Sequence, residues 1–181
     1  MSKVAVAMYL TLDGVMENPA WTAPYFDEEV SYFQQEVMYD CDALLLGRVT
    51  YQAFAAAWPA MPDAPGADRM NSLLKFMASI TLTATAWNAT LLRGDVPAAV
   101  RQLKQQPHQN LLVYDSGRLV RTLMQHNLID EYRLMVHPLV LGNGQQLFTQ
   151  GIAATLQLQE ARPTGSGVLL LTYHPQRTKA E

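Results

Sequence analysis

The chain has 181 residues, of which 49% are hydrophobic and 16% are charged, and its formal net charge is −3. This length and composition predict one globular domain over residues 1–176, followed by a loose polar tail at 177–181. The basic residues are scattered, so neither a nucleic-acid partner nor, without a long apolar run, a membrane partner is expected. Cys41 is the only cysteine, which excludes intramolecular disulfides and agrees with a cytoplasmic location.

Short runs that are apolar throughout predict strands buried on both faces. Such runs are Val4–Leu10, Ala43–Leu46 and Leu111–Tyr114. A further strand is predicted at Phe76–Leu82, which includes the polar residues Ser79 and Thr81, and a short edge strand is predicted after Trp87. Apolar residues at helical spacing predict helices after Asp27, after Gly47, over Asp68–Leu74, after the N-cap residue Asp95, and from Ser116 to Asn127. Strands and helices therefore alternate along most of the chain.

The last third of the chain is richer in strands. Alternation predicts a strand at Tyr132–His137 with one more polar side, and further strands are predicted at Leu156–Leu158 and Val168–Tyr173. Alternating strands and helices require crossover connections, so the sheet should be mainly parallel with helices on both faces. The final strands should add antiparallel pairing at one edge. The predicted class is therefore α/β with a mixed sheet.

The segment Ala43–Tyr51 leads a buried strand through Gly47 directly into a helix. A helix N-terminus at the tip of a strand favours anions, and Arg48 and Thr50 supply a guanidinium and a hydroxyl that suit phosphate oxygens. The plainer interpretation is an ordinary strand–turn–helix corner, with Arg48 solvated and Thr50 acting as a cap. The local pattern alone favours this plainer interpretation.

Two further strand ends carry groups that suit an anionic cofactor. The hydroxyls of Ser79 and Thr81 lie at the end of one predicted strand, and Asp115-Ser116-Gly117-Arg118 follows another, where Ser116 could cap a helix facing a pyrophosphate. Ligands of open α/β sheets bind beyond the carboxyl ends of the strands. Three equipped strand ends on one edge therefore indicate a shared crevice.

Other chemistries find no support in the sequence. Zinc is not expected because the four histidines (His108, His126, His137 and His174) are far apart and no cysteine pair exists. The serine-hydrolase elbow and the phosphate-binding loop of nucleotide hydrolases are both missing. Cys41 leads into a buried strand, which makes it a poor nucleophile. His137 could donate a proton, but a structural histidine is the favoured interpretation.

Taken together, these stretches resemble the dihydrofolate reductase-like superfamily, specifically small proteins related to the riboflavin-biosynthesis (RibD) C-terminal reductase domain. The matching segments span nearly the whole chain in the right order. They are Thr11-Leu12-Asp13-Gly14, Leu46–Tyr51, Trp58-Pro59, Met70-Asn71, Lys75, Trp87-Asn88, Ser116–Val120, Leu128–Glu131, His137–Gly144 and Leu147-Phe148.

The resemblance implies a mainly parallel sheet of about eight strands, bound NADPH, and reduction of a pteridine- or pyrimidine-like ring. It places Asp13 near the nicotinamide and substrate, where Asp13 would orient or protonate the substrate. It also implies that members of this type are often homodimers. The cofactor-binding residues that it implies are Gly47, Arg48, Thr50, Ser79, Thr81, Ser116, Gly117, Arg118 and Leu119.

Asp115 is a departure from the family, which usually has glycine at this position. A carboxylate there would repel a pyrophosphate, and a glycine-only or cis backbone would strain Asp115 by about 1–4 kcal/mol. This keeps an alternative open, namely a non-catalytic nucleotide- or ligand-binding protein on the same scaffold. The zinc deaminase half of the riboflavin enzyme is absent from this sequence.

Overall fold

The computed structural model describes residues 2–107 and 109–176, which form one eight-stranded sheet flanked by helices. The strands are β1 (Val4–Thr11), β2 (Ala43–Gly47), β3 (Leu74–Ala78), β4 (Ala89–Leu92), β5 (Leu111–Tyr114), β6 (Glu131–His137), β7 (Leu156–Pro163) and β8 (Leu169–Pro175). The helices are α1 (Glu28–Tyr39), α2 (Arg48–Ala57), α3 (Ala67–Ser72), α4 (Val96–Gln105) and α5 (Gly117–Gln125). Short 3₁₀ helices occupy Pro19–Tyr25 and Trp58–Ala60.

The order of strands across the sheet is β4-β3-β2-β5-β1-β6-β8-β7. β1 pairs in parallel with both β5 and β6, so that Val6 lies between Val113 and Tyr132. The pairs from β4 to β6 are all parallel, whereas β8 is antiparallel to β6 and β7. The predicted α/β class, with a mainly parallel sheet and an antiparallel edge, is confirmed.

Helices cover both faces of the sheet, as the alternating sequence predicts. Side chains alternate along a strand, so Leu45 points to one face while Leu44 and Leu46 point to the other. Leu45 packs in the core beneath α4 and α5, and its two neighbours pack with residues of α1, α2 and α3. Both faces of β2 are thereby buried, which explains its uninterrupted apolar sequence.

Helix ends follow the predicted chemistry. Asp27 and Asp95 are the N-caps of α1 and α4, and their carboxylates accept the N–H groups of Val30 and Ala98 at 2.9 Å. Asn127 follows α5 in the left-handed region, with φ at 53°. α2 begins at Arg48, immediately after Gly47. These sequence signals are therefore confirmed.

Two strand predictions need correction. β3 ends at Ala78 rather than continuing to Leu82, because the Ser79 hydroxyl accepts the N–H groups of Thr81 and Leu82 at 3.1 Å and turns the chain. β6 has no distinctly polar side, because Met135 and His137 are buried. The loop predicted to run to Pro24 also contains the 3₁₀ helix at Pro19–Tyr25.

Two predictions concern residues outside the described ranges. The loose tail at 177–181 falls wholly outside them, and so does His108. Within the described ranges, every helix is too short or too polar to cross a bilayer.

Candidate functional site

The ends of β2 and β5 meet, together with the first turns of α2 and α5. The Gly47 N–H donates to the Ser116 Oγ at 3.0 Å, and that hydroxyl donates to the Tyr114 carbonyl at 3.0 Å. The Thr50 hydroxyl donates to the Asp115 carbonyl at 2.7 Å. We call this group, Gly47–Thr50 with Asp115–Leu119, the β2–β5 junction. Two of the three predicted strand-end sites are thus one structure.

These bonds correct the roles expected for two hydroxyls. Ser116 occupies the N-cap position of α5, but its side chain makes no capping hydrogen bond because it links β2 to β5 instead. Thr50 is likewise buried and turned towards Asp115. Both hydroxyls therefore hold the junction together rather than facing solvent. Sequence inspection could identify the hydroxyls but not the direction in which they point.

The first turns of α2 and α5 are not capped by side chains. Neither Gly47 nor Ser116 provides a side-chain cap, so the first N–H groups of both helices have no side-chain partner. Arg48 and Arg118 are exposed in these first turns, and no other residue in the described ranges forms an ion pair with either guanidinium. The junction is therefore locally positive despite the acidic chain.

Met16 packs directly on the start of α5. A Cβ added to Gly117 would lie 2.0 Å from the Met16 Sδ and Cε atoms, so only glycine leaves room for this contact. Leu119, also predicted to bind cofactor, is buried in the core beneath α5, and only its backbone lies at the helix start.

Ser79 and Thr81 follow β3, the strand beside β2. Thr81 is exposed, whereas the Ser79 hydroxyl is occupied by the turn that ends β3. The structure thus places both residues at the same edge of the sheet as the β2–β5 junction, one strand further out. The Thr81 hydroxyl lies 3.4 Å from that of Ser79.

Asp13 follows β1 and holds a distant loop. Its carboxylate accepts the N–H of Leu141 at 3.3 Å and of Gly142 at 2.8 Å, and it also accepts the Thr11 hydroxyl. These hydrogen bonds lower the pKa of Asp13, with the Thr11 bond contributing most. Asp13 is therefore ionised and suited to positioning rather than to proton donation.

Asp115 lies in the left-handed backbone region, with φ at 46°. This conformation is uncommon for a residue with a Cβ, although Asp adopts it more readily than most. No described residue forms a hydrogen bond or ion pair with its carboxylate, and burial raises the pKa of this group to about 7. The strain expected from replacing glycine is therefore present, and within residues 2–107 and 109–176 every peptide bond is trans.

Sequence reasoning missed a polar and aromatic group beside the junction. The Tyr9 and Tyr114 hydroxyls lie 3.2 Å apart, and the Gln34 amide donates to the Tyr114 hydroxyl at 2.7 Å. Phe54 packs against the Tyr114 ring with centroids 5.8 Å apart. These residues come from β1, β5, α1 and α2, so no local sequence pattern could have revealed them.

His137 is structural, as favoured from the sequence. It is fully buried, its Nδ1 lies 3.0 Å from the Met135 carbonyl oxygen, and the rings of Tyr9, Trp21 and Tyr25 pack edge-on around it. Burial lowers the pKa of His137. Cys41 is likewise buried with its pKa raised to about 12, which does not suit a nucleophile. The described residues also contain no cluster of His, Cys, Asp or Glu able to hold a metal ion.

A comparison with protein-family models finds the RibD C-terminal domain over residues 2–170. The chain belongs to this family. The RibD C-terminal domain is a reductase family whose members use NADPH.

Relatives of this RibD C-terminal domain match over nearly its full length. The uncharacterized protein YyaP of Bacillus subtilis (strain 168) is 25% identical over 178 residues, covering 95% of this chain and 94% of YyaP. A protein of Shewanella sp. PV-4 assigned to riboflavin biosynthesis has a TM-score of 0.80 at 22% identity, covering 97% and 99% of the two chains.

A larger enzyme contains the same fold as one of its parts. The Thermotoga maritima diaminohydroxyphosphoribosylaminopyrimidine deaminase/5-amino-6-(5-phosphoribosylamino)uracil reductase has a TM-score of 0.69 at 12% identity. The match covers 97% of this RibD C-terminal domain but 57% of that chain. These structural matches establish the fold.

A cavity of about 300 Å³ lies at the opposite edge of the sheet, where the parallel strands begin. Lys3, Asp40, Glu131 and Arg133 line it, and Arg133 pairs there with both acidic residues. Both acidic residues are thus already paired with Arg133, and the remaining charged group of the lining is the exposed Lys3. The β2–β5 junction differs in having two exposed guanidinium groups, without an ion pair among the described residues, beside two helix N-termini.

Proposed function

We propose that the protein is an NADPH-dependent reductase of a pteridine- or pyrimidine-like small molecule. Membership of a reductase family supports the reaction class. The observation that carries the proposal is the hydrogen bond from Gly47 to Ser116, because it holds two uncapped helix N-termini side by side. Two positive helix ends and two unpaired guanidinium groups suit the phosphates of a dinucleotide.

In this proposal the β2–β5 junction holds the phosphates of the cofactor. The first N–H groups of α2 and α5 donate to phosphate oxygens, and Arg48 and Arg118 add charge-assisted hydrogen bonds. Ser79 and Thr81 lie towards the adenosine end, one strand further out. Bound NADPH would supply the hydride, while the protein supplies binding and orientation.

The substrate ring is proposed to bind on the side of the sheet that carries Tyr9, Tyr114 and Phe54. Aromatic faces suit a flat ring, and the half-buried Tyr9 hydroxyl, which lies 3.2 Å from the buried Tyr114 hydroxyl, is the group proposed to orient it. Asp13 contributes by holding the loop around Gly142 in place. Asp13 is thus proposed as a positioning residue.

Titration with NADPH, followed by nicotinamide fluorescence, tests the cofactor assignment. We expect a dissociation constant below about 1 mM, within the usual range for enzyme ligands. Arg48→Ala should raise that constant about tenfold, because a hydrogen bond between charged groups contributes roughly 1.5–3 kcal/mol.

Arg101→Ala is the matched control, since Arg101 is an exposed arginine on α4 outside the junction, and it should leave the constant unchanged. Absence of binding by the unmodified protein would contradict the cofactor assignment. Equal affinity of the Arg48 and Arg101 variants would remove Arg48 from the site.

Asp115 supports a second candidate, a ligand-binding protein that has lost catalysis, because it lies between the two helix N-termini that are proposed to hold the cofactor's anion. Asp115→Gly separates the two candidates. A large gain in NADPH affinity at every pH would indicate a damaged cofactor site, whereas tight binding by the unmodified protein would show that aspartate is tolerated.

We also propose that the protein forms a homodimer in the cytoplasm. β7 is largely exposed, and Leu158 and Leu169 lie uncovered on the β7–β8 surface with 50% and 39% of their areas exposed. An apolar surface of this kind is typical of an interface between protein chains. The presence of one cysteine, Cys41, whose thiol is buried, agrees with the proposed cytoplasmic location.

A further inference from the structure

Asp115 lies between the two helix N-termini that form the β2–β5 junction. Its N–H donates to the Ala7 carbonyl of β1 at 3.2 Å, and its own carbonyl accepts the Thr50 hydroxyl of α2. The next residue, Ser116, is bonded to Gly47. The backbone of Asp115 is thus fixed from three sides, which explains how a strained φ is maintained.

The carboxyl of Asp115 has no stabilising charge beside it. On β1 and β5 the neighbouring groups are the hydroxyls of Tyr9 and Tyr114, whose pKa values are raised chiefly by burial and also by the charge of Asp115. Arg48 on α2 and Arg118 on α5 point outward and form no ion pair with it. On α1 the neutral amide of Gln34 donates to the Tyr114 hydroxyl.

We propose that Asp115 takes up one proton from solvent when NADPH binds, so that its neutral carboxyl donates a hydrogen bond within the phosphate site. The inference rests on the proposed function, because it needs an anion at the β2–β5 junction. A carboxylate facing a pyrophosphate would repel it, whereas a carboxylic acid has an O–H to offer.

The free protein is already close to this state. Burial raises the pKa of Asp115 to about 7, and a bound anion nearby raises it further, since like charges disfavour ionisation. Binding therefore draws a proton onto the carboxyl wherever the free protein has lost it. Linkage then requires the dissociation constant for NADPH to rise about tenfold between pH 6 and pH 8.

Isothermal titration calorimetry with NADPH tests the inference. Proton uptake is obtained by repeating the titration at pH 8 in buffers of different ionisation enthalpy. The unmodified protein should take up nearly one proton more than Asp115→Asn. Subtracting the variant matters because a phosphate monoester such as the 2′-phosphate of NADPH titrates near pH 6 in both proteins.

The affinity of Asp115→Asn for NADPH should not fall above pH 7 in the way expected for the unmodified protein. At pH 8 the variant should therefore bind NADPH about tenfold more tightly than the unmodified protein. Asp115→Gly provides a second variant that accepts the positive φ and has no carboxyl. Asp63→Asn is the matched control, because Asp63 is exposed in the connection after α2, and it should behave like the unmodified protein.

Equal proton uptake by the unmodified protein and Asp115→Asn would overturn the inference while leaving NADPH binding, and thus the proposed function, intact. Failure of every variant to bind NADPH from pH 6 to pH 8 would instead overturn the proposed function, and the proton uptake with it. A tenfold pH effect confined to proteins that keep Asp115 would support both.

Discussion

Three residues at the β2–β5 junction that were expected near the ligand differ in whether their side-chain polar atoms are already bonded within the protein. Asp115 adopts φ of 46° and has an unpaired, partly buried carboxyl, whereas the neighbouring hydroxyls of Thr50 and Ser116 are fully used inside the protein. The sequence identified all three positions. It could not reveal which polar atoms would be consumed by the fold, because that depends on contacts between residues more than sixty positions apart.

Asp115 should also make the free energy of unfolding depend on pH. Its pKa is about 7 in the folded protein and near 3.8 when unfolded, so the folded state binds more protons between these values. Protonation of Asp115 therefore contributes to the free energy of unfolding in full below about pH 4, and this contribution is lost as the pH rises through 7.

Asp115→Asn should accordingly be more stable than the unmodified protein at pH 8, by about 1–3 kcal/mol after allowance for solvent screening. Asn also tolerates positive φ, so the backbone strain is unchanged. Urea unfolding at pH 5 and pH 8 measures the effect. A stability difference that did not change between the two pH values would show that the carboxyl is ionised throughout.

At the scale of elements, α3, β3 and β4 are joined by a buried lysine. The Lys75 ammonium donates to the carbonyls of Asn71 at 3.0 Å and Leu73 at 2.6 Å, and it lies 4.1 Å from the centre of the Trp87 ring. Burial lowers the pKa of Lys75 to about 8. This lysine therefore satisfies carbonyls at the end of α3 and fixes the segment that enters β4.

Lys75→Met should destabilise the protein by about 1–3 kcal/mol at pH 7, because the carbonyls of Asn71 and Leu73 lose a charged donor and Leu73 keeps only the 3.3 Å bond from the Asn88 amide. Lys3→Met is the control, since Lys3 is exposed, and its effect should stay within about 0.5 kcal/mol. Guanidinium chloride unfolding measures both. Equal stability of the two variants would mean that water replaces the ammonium.

Element prediction succeeded where one local signal decided the outcome and failed where packing decided it. Asp27, Asp95 and Asn127 mark helix ends through their own side chains and backbone preferences, and all three were identified. The apparently polar side of β6 was misjudged, because Met135 and His137 are covered by residues from distant parts of the chain. Burial by distant residues does not produce an alternating polar and apolar pattern in the sequence of β6.

At the scale of the whole molecule, the order of elements predicted the fold class but not the order of strands. Alternation required parallel pairing with crossovers, and the strand-rich end predicted an antiparallel edge. Nothing local indicates that β5 inserts between β2 and β1. That insertion brings Ser116 beside Gly47, so the juxtaposition at the β2–β5 junction became visible only in the structure.

The proposed homodimer can be tested by light scattering. The unmodified protein should have twice the chain mass of 20.2 kDa, and Leu158→Asp should reduce it to the monomer mass because it places a charge on the apolar β7–β8 surface. Ile80→Asp is the control, since Ile80 is 91% exposed after β3. A monomeric unmodified protein would contradict the dimer, and a dimeric Leu158 variant would place its interface elsewhere.

The contact of Met16 with Gly117 has a consequence for how the crevice is entered. A ligand atom that contacts Gly117 in the first turn of α5 must displace the Met16 thioether. Movement of Met16 would also move a second loop. The Met16 N–H donates to the Gln145 carbonyl, and the Leu147 N–H donates to the Gly14 carbonyl. Ligand binding at the first turn of α5 is therefore coupled to the positions of two loops, one after β1 and one after β6, which lie some 130 positions apart in the sequence.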